Sequence, residues 1–246
     1  MPRLRTVTDA LPTELGSHDG LAYSLWLPPE PRAGVVILHG AGSCKENHHD
    51  FARALLAPGF AALAFDQRGH GDSDGPMDGR ALDDVASMAA LLRSRIGAAA
   101  PLALRGTSMG GYLAIRAAAA LDAGAIVAIC PASGDGLRRA LRAGALGFDA
   151  DLPALEALLA AEALKDAVAA LTAPLLLMHA EGDEVVPVAH SRALAEHARA
   201  ESSRLIVLRG GHHRSIQHDP ELQAVSLRFI ARALRGREER DAPASD

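Results

Sequence analysis

The chain of 246 residues is short of cysteine and of aromatic side chains, has no long apolar run and carries no basic excess. Its two cysteines, Cys44 and Cys130, form no CxxC pair and cannot build a disulfide framework, so the sequence reads as that of a protein from a reducing, cytoplasmic compartment. Five Phe, two Tyr and one Trp are too few rings to line a saccharide groove. No apolar window reaches the roughly 20 residues that a membrane span needs, and the start, MPRLRTVTDALPTEL, lacks an apolar core of signal-peptide length. A net charge of −5 without a basic stripe argues against a nucleic-acid partner, because few cations are placed to displace counterions from phosphates. Eleven histidines invite a metal, yet HHD at 48–50, HH at 212–213 and His218 have no zinc-type spacing such as HExxH. Neither a metal nor, for want of a GxGxxG or a P-loop, a nucleotide cofactor is expected. Nothing specifies an oligomeric state.

What the sequence does have is rhythm. With 49% hydrophobic residues it can bury a substantial core, and from residue 34 short apolar runs alternate with longer amphipathic ones. That is the pattern of an α/β protein, a doubly wound, mostly parallel sheet with helices on both faces. The strands fall at 34–39, 61–66, 101–106, 125–130, 174–180 and 203–208, each bounded by Gly, Pro or charge. Helical runs lie near 45–57, 80–96, 109–121, 188–200 and 220–235. DGLAYSLWLPP (19–29) reads as an antiparallel strand added at the sheet edge. One connection, about 132–172, is far longer than the usual 2–6 residues and contains a helical run over 152–171, as a small helical lid would. These features predict a single domain over 1–236 with that insertion, followed by a disordered charged tail, 237–246.

GTSMGG (106–111) sits where a strand should hand over to a helix. G-x-S-x-G at such a turn is a nucleophile elbow, with Gly106 and Gly110 removing β-carbons so that Ser108 can take up a tight backbone conformation. A serine hydroxyl needs a base, and the base needs an acid to fix its tautomer. Asp183 lies in the loop after the strand PLLLMHA, and His212 and His213 lie in the loop after SRLIVL. Both loops leave the carboxyl ends of strands, the rim where open α/β sheets put their ligand sites.

HGAG (39–42), DQRGHGDS (66–73), GTSMGG, HAEGDEVVP (179–187) and GGHH (210–213), in this order and strand context, resemble the α/β-hydrolase family over most of the chain. The resemblance implies the α/β-hydrolase fold and a serine-hydrolase triad of Ser108, Asp183 and a histidine of the last loop. The family's x-G-x-x-H pattern selects His213, with His212 as the alternative base. It also implies an oxyanion hole made by the backbone N–H groups of Ala41 and Met109, with His39, Gly40 and Gly42 shaping the first loop. DQRGHGDS is assigned no chemistry beyond structural hydrogen bonds of Asp66 and Arg68. Cys44, His48 and His49 either border the pocket or belong to a solvated helix start.

The expected substrate is a small molecule with an acyl group: a small to medium carboxylic ester or thioester cleaved through an acyl-enzyme. An acyltransferase or perhydrolase would use the same triad, and a non-catalytic ligand-binding member of the fold would be expected to have lost it. A peptidase would need peptide-recognition elements for which no segment is long enough. The insertion's Leu137, Leu141, Leu146, Phe148, Leu152, Leu155, Leu158 and Leu159 either face the pocket or pack the lid on the body.

Overall fold

The computed structural model describes residues 10–241, with side chains as far as residue 237. Six parallel strands form the sheet's centre and one flank: β3 (Ala33–Leu38), β4 (Phe60–Phe65), β5 (Leu102–Thr107), β6 (Ala125–Ile129), β7 (Leu175–Ala180) and β8 (Arg204–Leu208). Every residue of β3 to β7 is buried, which is why they read as unbroken apolar runs: helices cover both faces. Successive side chains still alternate. Val36 and Leu38 enter the core on one face, while Val35 and Ile37 enter the core on the other.

The first core is roofed by α2 (Ala81–Ile96), α3 (Met109–Ala118), α6 (Leu164–Ala170) and α7 (Val188–Ala195). The second is roofed by α1 (His49–Leu55), which follows a 3-10 turn at Lys45–His48, and by α8 (Pro220–Asp241). Among the described residues no helix is long and apolar enough to cross a membrane.

Three expectations need correction. The strand predicted at the edge, β2 (Leu21–Trp26), is the second strand, because β1 (Glu14–His18) pairs with it outside. A two-residue turn at Asp19 and Gly20, both at positive φ, joins them as a tight hairpin. The helix expected over 152–171 is two, α5 (Leu152–Ala160) and α6, and it is preceded by α4 (Gly134–Arg142). The break at 161–163 carries Glu162, whose carboxylate pairs with Arg116 of α3 at 2.9 Å. Finally, α8 takes in residues 237–241 of the tail expected to be disordered. Arg237 is tied there to the carbonyl and carboxylate of Asp122, while 242–246 lie outside the described residues.

The sheet order is β1-β2-β4-β3-β5-β6-β7-β8. With β3 to β8 all parallel, their carboxyl ends share one rim, and the loops after them meet there.

Candidate active site

β5 hands over to α3 through Ser108, whose backbone has φ +53° and ψ −116°. A non-glycine residue there costs of order 1–3 kcal/mol and persists only where its surroundings enforce it. Three hydrogen bonds do so. The Ser108 N–H donates to Ile129 O at 2.8 Å, and its carbonyl accepts the N–H groups of Tyr112 and Ala132, each at 3.0 Å. The flanking glycines are required by proximity: a β-carbon on Gly106 would lie 2.0 Å from Gly110 O, and one on Gly110 would lie 2.3 Å from Leu38 O.

Asp183 follows β7 with its side chain sealed from solvent. Its Oδ1 accepts the N–H groups of Val185 (2.9 Å) and Val186 (2.8 Å), and its Oδ2 accepts Nδ1–H of His213 at 2.7 Å. Burial works to raise its pKa, but the backbone donors and His213 outweigh burial and hold the carboxyl below its usual value. Since a carboxylate only accepts, the His213 proton sits on Nδ1 and leaves Nε2 as the basic nitrogen. The His213 N–H also donates to Glu184 (3.2 Å), joining the last loop to the loop after β7. His212 is exposed and makes no contact with Asp183; its Nδ1 accepts the Arg214 N–H at 3.3 Å. Of the two histidines, the structure therefore pairs His213 with the acid.

Ser108, His213 and His212 line one cavity of about 910 Å³, together with Ala41 and Gly42. Among the described residues the Ser108 hydroxyl forms no hydrogen bond, to His213 or otherwise, and the backbone N–H groups of Ala41 and Met109 donate to no protein acceptor. His39 is fully buried: its Nε2 accepts the Gln67 N–H (3.0 Å), so Nδ1 carries the proton and donates to Gly40 O (2.8 Å). Burial depresses its pKa to about 4.

Of the insertion's leucines and its phenylalanine, Leu137 and Leu146 reach the cavity. Leu141, Leu155 and Leu159 are buried in the core, Leu158 packs against it, Phe148 stacks on His70, and Leu152 is exposed. The insertion's share of the cavity wall comes from 132–147, that is, from α4, the residues just before it and the loop after it. Cys44, His48 and His49 do not line it. His48 is buried and faces Arg105, while His49 is half-buried, edge-on to Trp26.

Three site-facing residues escaped the sequence reading. Cys130, directly after β6 and at φ +43°, places its thiol beside the Asp183 carboxylate, and burial pushes its pKa up to about 12. His179 of β7 donates from Nε2 to Val186 O (2.9 Å) and accepts the Ser191 hydroxyl at Nδ1 (2.7 Å), bracing the Asp183 loop. His70 touches the loop that carries Ala41. The HAEGD and RGHG segments that hold the two histidines were visible as motifs, but nothing local marks their partners. Cys130, Asp183 and His213 bring donor atoms within 4.8 Å of one another. The Asp183–His213 separation is that of a hydrogen bond, however, and its proton occupies the lone pair a metal would need.

A family model for serine aminopeptidase, S33, matches residues 29–146 and 153–221. The chain belongs to this family of α/β hydrolases. It is 30% identical to a monoacylglycerol lipase of Mycolicibacterium smegmatis, over 83% of this chain and 89% of that protein. Among solved structures, a soluble variant of monoglyceride lipase from Saccharomyces cerevisiae with a substrate analogue superposes with a TM-score of 0.71 at 17% identity, covering 96% of this chain and 99% of that one. Est1E from Butyrivibrio proteoclasticus with bound ferulic acid gives 0.70 at 21% identity, covering 91% and 98%. These structural likenesses speak to the fold, which is that of the α/β hydrolases.

Proposed function

We propose that this protein is a serine hydrolase that cleaves a small to medium carboxylic ester or thioester through an acyl-enzyme on Ser108. The observation that carries the reading is the sealed Asp183–His213 pair at 2.7 Å, opening on the cavity that Ser108 also lines. Ser108 Oγ attacks the acyl carbonyl and its proton passes to His213 Nε2, which begins with the two side chains closing to hydrogen-bond distance. The negative charge on the carbonyl oxygen falls to the N–H groups of Ala41 and Met109, whose lack of protein acceptors supports this role. His213 then protonates the leaving alcohol or thiol as the C–O or C–S bond breaks. Water, deprotonated by His213, attacks the acyl-enzyme, and the proton returns to Ser108 as the acid departs.

The relatives' names, lipase and esterase, favour an ester over a peptide bond, and so does the wall of Leu137, Leu146, Val185, Val186 and Pro187. A cavity of about 910 Å³ suits a drug-sized molecule and is larger than a short acyl group alone requires. Of the single domain expected over 1–236, residues 1–9 lie outside the described residues, and 10–236 act as one domain with α4 and the following loop as the part of the insertion that covers the site.

A panel of p-nitrophenyl esters of increasing acyl length, run beside p-nitroanilides and a fluorophosphonate label, tests the reading. Ester turnover is expected to fall about 10⁴-fold or more in Ser108→Ala and in His213→Ala, but not in His212→Ala. Labelling at another residue, or equal losses for both histidines, overturns the assignment.

A further inference from the structure

His70 lies in the RGHG segment, on the loop after β4, and only 5% of it is exposed. Its Nε2 faces the N–H of Gly42 at 3.1 Å. A backbone N–H can only donate, so Nε2 must be the acceptor. The ring proton is therefore on Nδ1, which donates to Arg68 O at 3.0 Å. Both nitrogens are spent on backbone, and the imidazole cannot serve as a base toward a substrate. What it does hold is a turn. Ser43 N–H donates to Gly40 O at 3.2 Å, closing a four-residue turn with Ala41 and Gly42 at its centre, and Gly42 has φ +64°. A positive φ at the third position is what a type II turn demands.

The ring is itself clamped. Phe148, from the insertion, lies against it with centroids 4.3 Å apart, and His39 approaches its other side edge-on at 4.8 Å. Phe148 is held in place by its neighbours: Met77 N–H donates to Asp149 O and Asp151 N–H to Met77 O, each at 2.9 Å. The insertion is thus laced to the loop that carries His70, and His70 to the loop that carries Ala41.

We propose that His70 is a positioning residue for the oxyanion loop: by accepting the Gly42 N–H it fixes the turn that presents the Ala41 N–H, and Phe148 holds its ring in place. This rests on the reading of Ala41 as an oxyanion donor. It assigns a task to a segment whose hydrogen bonds otherwise look purely structural, and it makes the insertion a support of the reacting centre as well as its cover. Nothing local in the sequence couples Phe148 to Gly42; the His70 ring does.

The side-chain amides of Gln and Asn separate the two functions of the ring. A Gln side chain places its carbonyl oxygen near the position of Nε2, while Asn reaches only as far as Nδ1. His70→Asn should therefore keep the contact to Arg68 O but lose Gly42, and His70→Gln should keep Gly42. With p-nitrophenyl butyrate, kcat is expected to fall about 10- to 100-fold in His70→Asn with KM within about threefold, and to recover to within about fivefold of the parent in His70→Gln. Equal kcat values for the two variants, or a loss confined to KM, overturn the proposal.

Amide hydrogen exchange on the unaltered protein gives a second test that needs no variant. The Gly42 N–H should exchange more slowly than that of Ala41, and equal rates overturn the proposal. Ser108→Ala is run alongside. If it retains turnover, the acyl-enzyme reading fails and takes this proposal with it. If it is inactive while His70→Asn matches the parent, only the role of His70 is lost.

Discussion

The most demanding perturbation of the elbow is a single carbon at Gly110. An alanine β-carbon there would sit 2.3 Å from Leu38 O and 2.5 Å from His39 O, where ordinary contact begins at 3.4 Å. Relief needs a separation of about 1 Å between the start of α3 and the end of β3, and neither side yields easily. Leu38 is paired in register with Gly106 of β5, and Ser108 is held by three backbone hydrogen bonds. Helix propensity alone favours alanine by about 1 kcal/mol, against overpacking of roughly 1–3 kcal/mol or more. Gly110→Ala should therefore lose up to about 2 kcal/mol net in urea denaturation. The functional loss should be larger, because a shift near 1 Å at a nucleophile costs about 100-fold in turnover. Gly79→Ala is the control. Its β-carbon would make an ordinary contact at 3.6 Å with Ala154 O, so stability should stay within about 0.5 kcal/mol of the parent. A Gly110→Ala protein with parental stability and turnover within about threefold of the parent would refute the argument that contact with Leu38 and His39 sets the elbow.

Asp183→Asn keeps the shape of the acid but offers the His213 Nδ1–H a poorer partner and allows the wrong tautomer, so kcat for esters should drop about 10⁴-fold with little change in KM; a loss under tenfold would contradict the role given to the carboxylate. His39 predicts an acid weakness. The unfolded chain takes up its proton near pH 6.5 and the folded protein only near pH 4, so this part of the stability is intact above about 6.5 and drains away as pH falls toward 4. Between pH 7 and 4.5 the contribution is about 2.5 kcal/mol. Urea midpoints of the parent and of His39→Gln at the two pH values check it, and identical pH slopes would exclude His39 as the source.

The six parallel strands fall within a residue or so of where the apolar runs put them, because β3 to β7 are buried on both faces, β8 is partly buried, and each run ends at a Gly, Pro or charge. The antiparallel flank was harder. In β1 only Glu14 and Gly16 are even partly buried, so no alternation of apolar residues announces it, and Asp19-Gly20 was its one local signal. The division of 152–171 into α5 and α6 is invisible for another reason. The apolar spacing runs on through 161–163, and no Gly or Pro marks the break. At the candidate site, Ser108, Asp183 and His213 were legible as candidates because each stands in a short motif at a strand's carboxyl end; the structure pairs the last two and puts Ser108 on the same cavity. Cys130 and His70 were not, because Asp183 and Gly42 reach them only through the folded sheet, and His179 was not because its partners, Val186 O and the Ser191 hydroxyl, form no recognisable motif.

The histidines around the site differ in what their ring nitrogens already hold, and this difference is what supports the proposal of His213 as base. In His39 and His70, Nε2 accepts a backbone N–H, which fixes the proton on Nδ1 and directs it at a carbonyl. In His179 the roles are exchanged, with Nε2 donating to Val186 O and Nδ1 accepting the Ser191 hydroxyl. All three are neutral rings with both nitrogens engaged: a further proton would break the bond that His39 or His70 accepts from a backbone N–H, and in His179 would turn the Ser191 hydroxyl from donor to acceptor, in each case charging a buried ring. Burial depresses the pKa of each accordingly. His212 has an unengaged Nε2, but its Nδ1 already accepts from Arg214 and it has no carboxylate partner. Only His213 combines an Nδ1–H held by a carboxylate with an Nε2 left without a partner among the described residues. A proton arriving there breaks no existing bond and is stabilised by Asp183, which is the condition a general base must meet.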